Sequence, residues 1–205
     1  MLNITEKTIR ALKQNRIPAR YMETAQELFS CMDSCIASKD MVGTGDSETL
    51  NALGVYTYLR NRDIFFLDKY GNNVSKDDKR NIYLNNFKTD VFISGINALT
   101  AEGKIFNLDG NGSRVAPIIY GPKKVLLICG TNKLVYTDAE AYERIRSRAA
   151  PLDAIRLGKN TPCAKTGYCV DCKSADKICN YYSIIQGQFD KDRINVLIIN
   201  GEYGY

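Results

Sequence analysis

The sequence predicts an α/β protein, with a sheet layered between helices and mixed rather than purely parallel. Three observations carry that reading. Apolar, β-branched runs that end at glycine alternate with segments of helical period, the order expected of strands and covering helices. Two further β-rich runs stand next to each other at the end of the chain, YYSIIQGQF and RINVLIING, and adjacent strands there make the sheet mixed. Between these parts, residues 160–180 show no apolar period and hold four of the seven cysteines, which marks a cysteine-rich appendage organised by something other than a core.

Taken in order, residues 3–38 place Ile9, Leu12, Met22, Ala25, Leu28, Phe29, Met32, Cys35 and Ile36 at helical spacing, and Pro18 interrupts them, so two helices joined at Pro18 are expected. A short apolar segment ending in Gly43-Thr44-Gly45 then gives way to Asp46-Ser47-Glu48 and a helix to about Leu59, with Asp46 or Ser47 as its N-cap. DIFFL at 63–67 reads as a strand, Ser75 to Phe87 as a charged helix, and DVFISGINAL as a buried strand. KIFNLDG at 104–110 and KVLLICG at 124–130 follow, both ending at glycine. A helix is expected over Asp138 to Arg148, and Pro151 opens another short one.

A length of 205 residues with 44% hydrophobic and 25% charged residues predicts a single domain over 1–205. The net charge of +5 is spread along the chain without basic tracts, which argues against nucleic acid as a partner. The longest apolar runs, Val125 to Cys129 and Val196 to Ile199, fall far short of the roughly 20 residues of a membrane span. With a polar MLNITEKTIR start, the expectation is a cytoplasmic protein with no membrane partner. The absence of histidine excludes serine–histidine–aspartate triads, cysteine–histidine dyads, histidine zinc sites and Rieske ligation. Acid–base work would fall to carboxylate, lysine, tyrosine, cysteine or a metal-bound group.

Three loops are candidate binding elements because each follows a predicted strand, where open α/β sheets place their ligands. In Val42-Gly43-Thr44-Gly45-Asp46-Ser47, glycines let the backbone turn its N–H groups outward before a helix start, which favours an anion. The spacing matches neither a P-loop nor the dinucleotide fingerprint, and a ligand-free tight turn is the alternative. In Ser94 to Arg114, the double turn Asp109-Gly110-Asn111-Gly112 precedes Arg114, and Asn97 and Asn107 interrupt apolar strand ends where an amide needs partners. A solvated turn is the alternative there. After KVLLIC, Gly130-Thr131-Asn132-Lys133 offers a cation. These loops are expected to meet in one cleft. In an enzyme, Asp109 would transfer the proton, or else merely cap its turn, while Arg114 and Lys133 would hold a carboxylate or phosphate.

Cys163, Cys169, Cys172 and Cys179 are separated by five, two and six residues. A structural zinc usually takes two paired knuckles, and here only Cys169 and Cys172 form a CxxC, so the uneven spacing points to an iron–sulfur cluster of the four-iron type, with zinc, free thiols or, against the reduced compartment, disulfides as the alternatives. Lys165, Lys173 and Lys177 would moderate its negative charge. Cys31 and Cys35 share a helix face, where core packing outweighs a metal pair, and Cys129 reads as a small buried hydrophobe.

The run SGINALTAEGKIFNLDGNGSRVAPIIYGPKKVLLICGTNKLV, with VGTGDSETL upstream and AAPLDAIRLGKNTPCAKTGYCVDC downstream, resembles the LUD (lactate-utilisation) domain family, formerly a domain of unknown function. The resemblance covers about residues 40–180. It implies a three-layer α/β/α Rossmann-like sheet similar to the ribose-phosphate isomerase and CoA-transferase group. It also implies a small anionic metabolite, such as a hydroxy or oxo acid or a phosphorylated compound, as ligand. Matching motif positions fall on Gly43, Gly45 and Ser47, on Asn97, Thr100 and Gly103, on Asn107, Asp109, Gly110, Gly112 and Arg114, and on Asn132 and Lys133, with Asp46 where many relatives carry glycine. Larger relatives act in lactate oxidation beside iron–sulfur and oxidoreductase partners, which implies a redox protein partner and a place in an oxidoreductase system acting on lactate or a similar acid. No counterpart of the CoA-transferase glutamate is seen. A non-catalytic electron-transfer or assembly component, and a zinc-stabilised binding module or sensor, are the alternatives.

Overall fold

The computed structural model describes residues 3–205. Helix α1 (Ile4–Gln14) is opened by a capping box between Asn3 and Glu6, and helix α2 (Ala25–Asp33) by Thr24, whose hydroxyl accepts the Glu27 amide. Between them lies a strand, β1 (Ala19–Met22), so the expected junction of two helices at Pro18 is corrected. The Pro18 carbonyl accepts a hydrogen bond from the Val196 amide, and Met22 pairs with Ile199. Residues after the proline satisfy their backbone sideways in a sheet, and four residues are too few for periodicity to tell strand from helix.

Strand β2 (Met41–Thr44) runs into α3 (Glu48–Ala52), capped by Ser47, and then α4 (Val55–Arg60). The single helix expected to Leu59 is broken at Gly54, whose φ of 71° lies in the left-handed region that glycine adopts without strain. Then come β3 (Phe65–Phe66), α5 (Lys76–Asn85) with its Ser75–Asp78 capping box, β4 (Val91–Gly95), β5 (Ala98–Thr100) and β6 (Ile105–Asp109). After α6 (Val115–Ile119), β7 (Lys124–Gly130) and β8 (Leu134–Val135), helix α7 (Asp138–Arg144) passes through a π-helical turn at Ile145–Ala149 into α8 (Ala150–Arg156). Pro151 therefore sits at the start of a continued helix. The chain ends with α9 (Pro162–Thr166), β9 (Tyr181–Ile185) and β10 (Ile194–Ile199).

Two sheets result. The larger has the order β1-β10-β7-β4-β2-β3 and is parallel throughout. The smaller has the order β8-β5-β6-β9, and the antiparallel pairs are confined to it. The mixed character is thus real, but its expected source is not: β9 and β10 go to different sheets. Strand β10 is apolar on both faces and inserts between β1 and β7, whereas β9 keeps Tyr181 and Tyr182 exposed at a sheet edge.

Alternation along the central strands sorts the core. Val91 and Ile93, Leu126 and Ile128, and Leu197 and Ile199 meet Leu28, Met32, Leu50 and Leu59 of α2 to α4. On the opposite face Phe92, Val125, Leu127, Val196 and Ile198 meet Leu12 of α1, Ile118 of α6 and Leu99 and Ile105 of the small sheet. The far side of the small sheet, through Ala98, Phe106 and Leu108, packs on Ala141, Ile145 and Ala150. The architecture is a three-layer α/β/α arrangement with a small sheet within one flanking layer. No helix among the described residues is long and apolar enough to cross a membrane.

The strand order reverses at β2, with β3 on one side and β4 on the other. A crevice outside the carboxyl ends of β2 and β4 follows from that reversal, because the connections leave in opposite directions.

Candidate functional site

A cleft of about 390 Å³ opens at this end of the sheet. It is lined by Asp46 and Ser47 after β2, Gly95 and Asn97 after β4, Asp109, Gly110, Asn111 and Arg114 after β6, and Lys133 after β7. All of the expected loops therefore contribute to one cavity. Gly43, Thr44, Gly45, Asn107, Gly112 and Asn132 are not part of this lining, and Thr100 lies apart, in the β5–β6 turn where its hydroxyl accepts the Lys104 amide. Glycine at 45 and 95 permits the close approach of the loops: a Cβ would stand 2.6 Å from Ser94 Oγ at Gly45 and 2.2 Å from Ser47 Oγ at Gly95.

Arg114 faces the protein as much as the cavity. Its Nη1 donates to Gly95 O and Asn107 Oδ1, each at 3.2 Å, and its Nη2 to Asn97 Oδ1 at 2.9 Å and Leu108 O at 2.7 Å. Both ends of the fork are engaged, so the guanidinium joins the ends of β4 and β6. The Asp109 carboxylate accepts the Gly110 amide at 2.8 Å and the Arg114 and Val115 amides at 3.0 Å. Three backbone donors on one carboxylate are the geometry of the capping alternative, and they start α6 where its first amides lack partners.

Asp46 accepts from Tyr70 Oη at 2.5 Å and from Arg156 Nη2 at 3.0 Å. Burial pushes its carboxyl up, but Tyr70, Lys69 and Arg156 outweigh burial and hold it below the usual carboxylate range. Arg156 also pairs with Asp153 at 2.8 Å. This carboxylate therefore neutralises a neighbouring cation and leaves the remaining cavity cations to act on a ligand.

Several cationic groups come from outside the three candidate loops, Lys177 among them from the cysteine segment. Lys69 is 4% exposed, donates to Thr44 O at 3.2 Å, and sits 5.2 Å from the Tyr70 ring centre and 5.8 Å from that of Tyr83. Burial brings its ammonium down to about 8, opposed by Asp46. In sequence it belongs to a polar Asp68-Lys69-Tyr70 turn with nothing to distinguish it. Lys159 and Lys177 line the cavity, and neither pairs with a carboxylate among the described residues.

Lys133 is 2% exposed. Burial, then Arg144, brings its ammonium down to about 7, and its Nζ donates to the main-chain oxygen of Tyr205. Residues 201–205 lie along this side of the cleft: Thr49 Oγ1 donates to Tyr203 O at 3.0 Å and Asn132 Nδ2 to Gly204 O at 3.1 Å. Asn132 thus fastens the chain end, and Tyr205 lines the cavity.

The cysteine segment is docked on the fold rather than standing off it as an appendage. Asn180 donates from its amide to Asp109 O at 3.0 Å and from its side chain to Gly110 O at 2.9 Å, and Arg146 binds Asp171 at 2.6 Å. Lys177 and Ile178 form part of the cleft wall. Cys163 is buried in α9, while Cys169, Cys172 and Cys179 are partly exposed. Burial raises the Cys179 thiol, Lys177 opposes the shift, and Cys169, Cys172 and Cys163 each add to it, so the four thiols are electrostatic neighbours. Among the described residues no three side chains of the ligating types converge as a metal-holding group. Cys31 and Cys35 pack partly against the first core face, and Cys129 is fully buried.

Comparison with known proteins agrees with the architecture. The crystal structure of a DUF162 family protein from Deinococcus radiodurans is similar to this chain with a TM-score of 0.54 at 10% identity, covering 98% of this chain and 99% of that one. At that identity the likeness is one of fold. No curated protein matches the chain in sequence. The family described as the LUD domain matches residues 5–199, and DUF162 is its former name. Since that match spans both sheets and the loops that form the cleft, the chain belongs to the LUD, or lactate-utilisation, domain family.

Proposed function

We propose that this lactate-utilisation-like protein binds a small hydroxy or oxo acid, or a phosphorylated metabolite, in the cleft, and that Cys163, Cys169, Cys172 and Cys179 hold an iron–sulfur cluster of the four-iron type with a redox role. The observation that carries the reading is the shared wall: Lys177 and Ile178 line the cleft and Cys179 follows them directly. A group held by these thiols would adjoin an anion held by the cleft. Four thiolates are the number such a cluster takes, and binding would have to draw them closer than they stand here, where they do not converge as a metal-holding group. When bound, the cluster would supply one-electron transfer.

The protein's own residues have separate tasks in this reading. Lys159 and Lys177 attract the anion, since neither is neutralised by a carboxylate among the described residues. Arg114 and Asp109 hold the loop geometry, because their polar atoms already bind the backbone and neighbouring amides. A cytoplasmic setting, where thiols stay reduced, and a redox protein partner belong to the same reading.

The test is anaerobic purification followed by visible spectroscopy, iron, sulfide and zinc analysis, and calorimetric titration with lactate, pyruvate and inorganic phosphate. A brown protein with equal iron and sulfide, bleached by Cys172→Ala, together with saturable binding of one of these anions, is the expected result. Colourless protein with stoichiometric zinc overturns the cluster in favour of a zinc-stabilised module. Failure of all three anions to bind overturns the cleft assignment.

A further inference from the structure

Residues 201–205 form a strap along one side of the cleft, and its fastenings change along its length. Thr131 Oγ1 donates to Gly201 O at 3.2 Å and accepts the Gly201 amide at 3.1 Å, Tyr203 packs against the core face of α2 to α4, and Thr49 Oγ1 donates to Tyr203 O at 3.0 Å. Residues 201–203 are therefore anchored. Beyond them the tip, Gly204–Tyr205, is held by polar contacts: Asn132 Nδ2 donates to Gly204 O at 3.1 Å, Lys133 Nζ to the main-chain oxygen of Tyr205, and Tyr205 Oη to Asp153 Oδ1 at 3.4 Å. Gly204 has a φ of 63°, and a Cβ there would stand 2.7 Å from Thr49 N, so this seat for the tip requires glycine. The oxygen that the tip delivers meets a cationic end of the cavity. Lys133 is 2% exposed and belongs to the lining. Beside it Arg144 is fixed on Asn132 O and Asn97 O, its buried Nη2 finds no acceptor among the described residues, and Arg148 reaches Glu202 of the strap at 3.6 Å. Buried donors of this kind call for an oxygen, and the one that Lys133 receives is brought by the strap.

We propose that Gly204–Tyr205 is a gate whose main-chain oxygen stands in for a ligand oxygen on Lys133, and that the carboxylate or phosphate of the ligand takes its place as the tip swings out. This inference rests on the cleft assignment above and adds where the anion is seated and what moves to admit it. Lys159 and Lys177, elsewhere in the lining, draw the anion in, and Lys133 seats it. Gly204 is the pivot, because glycine passes between backbone regions without a Cβ in the way, while Tyr203 keeps the rest of the strap in place. The tip and the anion compete for the same donor, so the apparent affinity is the intrinsic one multiplied by the fraction of molecules whose tip is open. A latch closed in about nine molecules of ten hides about tenfold of affinity.

The experiment follows the tip in the full chain by hydrogen–deuterium exchange of the peptide that carries residues 203–205, with and without inorganic phosphate, lactate or pyruvate, beside calorimetric titration with the same anions. A saturating anion is expected to speed exchange at the tip by about threefold or more and to leave β10 unchanged. Gly204→Ala, which strains the latched tip, is expected to bind the same anion about tenfold more tightly than the wild type. Since that substitution also presses on Thr49, a second variant reports the tip separately: the chain has no tryptophan, so the emission of Tyr205→Trp comes from the tip alone and should shift to the red as the anion binds. Slower exchange or a blue shift on binding overturns the gate, because the tip then closes over the ligand. An anion that binds wild type and Gly204→Ala equally, with the tip unchanged in both readouts, overturns the gate and preserves the cleft assignment. Absence of binding in the wild type and in both variants overturns the two together.

Discussion

Lys133 and Lys69 carry a charge that folding works against, because both ammonium groups leave water for a buried site. The folded protein lets go of these protons near pH 7 at Lys133 and pH 8 at Lys69, whereas an unfolded lysine holds its proton to about pH 10.4. Between those limits the unfolded chain carries more protons, so stability rises with pH. The rise is bounded from above. The Cys129 thiol and the Tyr56 hydroxyl are both pushed up to about 12 by burial, so at high pH the unfolded chain loses protons that the folded chain keeps, and stability falls. Urea denaturation at a series of pH values should show stability increasing by roughly 1–3 kcal/mol from pH 7 to pH 9. Lys133→Met and Lys69→Met should each flatten that slope, and a slope unchanged in both variants would mean that neither amine is depressed.

At the level of elements, the cleft is held open by connections between the two sheets. Arg114 ties the end of β4 at Gly95 to Asn97 in the following turn and to Asn107 and Leu108 of β6. Removing the guanidinium leaves partly buried acceptors without donors, and unmet acceptors lose more free energy than a neutral hydrogen bond contributes. Arg114→Met should therefore destabilise the fold by roughly 3–5 kcal/mol in urea titration, with Arg114→Lys recovering only part, since an ammonium cannot span the same fork. Loss of affinity without loss of stability would instead assign Arg114 to the ligand. The π-helical junction between α7 and α8 has a comparable role. The π-helical turn lets one continuous helical run present Arg144 near Asn97 and Asn132 and Arg156 beside Asp46.

Across the whole molecule, residues 160–180 carry the four thiols and also supply Lys177 and Ile178 to the cleft. Any metal that orders the thiols then shifts one wall of the binding cavity. Linkage makes the coupling reciprocal: metal-loaded and metal-free protein should differ about 5-fold or more in affinity for a cleft anion, and the anion should slow chelator removal of the metal by the corresponding factor. Equal affinities by calorimetry would show that the two sites are independent.

Local chemistry made much of this legible. Ser47, Ser75 and the apolar runs around β4, β7 and β10 announce themselves because caps and two-sided burial act on neighbouring residues. The glycine-ended strand tips pointed to a common cleft for the same reason, and the cysteine spacing marked the segment that forms one wall. What the sequence could not determine were the choices that depend on distant partners. β9 and β10 separate into different sheets because β10 finds β1 and β7, and β1 replaces part of a helix because β10 offers it an edge. Arg114 reads as a ligand-binding group, and Asp109 as a proton-transfer group or a turn cap, until their hydrogen bonds are seen to close on the protein itself. Arg156, Lys159 and Lys177 enter the cleft from segments far from its glycine-ended loops, and Lys69 and Lys133 acquire their lowered pKa only where packing removes water and, at Lys133, brings Arg144 beside it. Backbone preference and hydrophobic period are properties of short stretches, so the sequence determined the elements and the loop ends. Burial and charge are properties of the assembled fold, and the tertiary structure alone decided which of those residues has chemistry to offer.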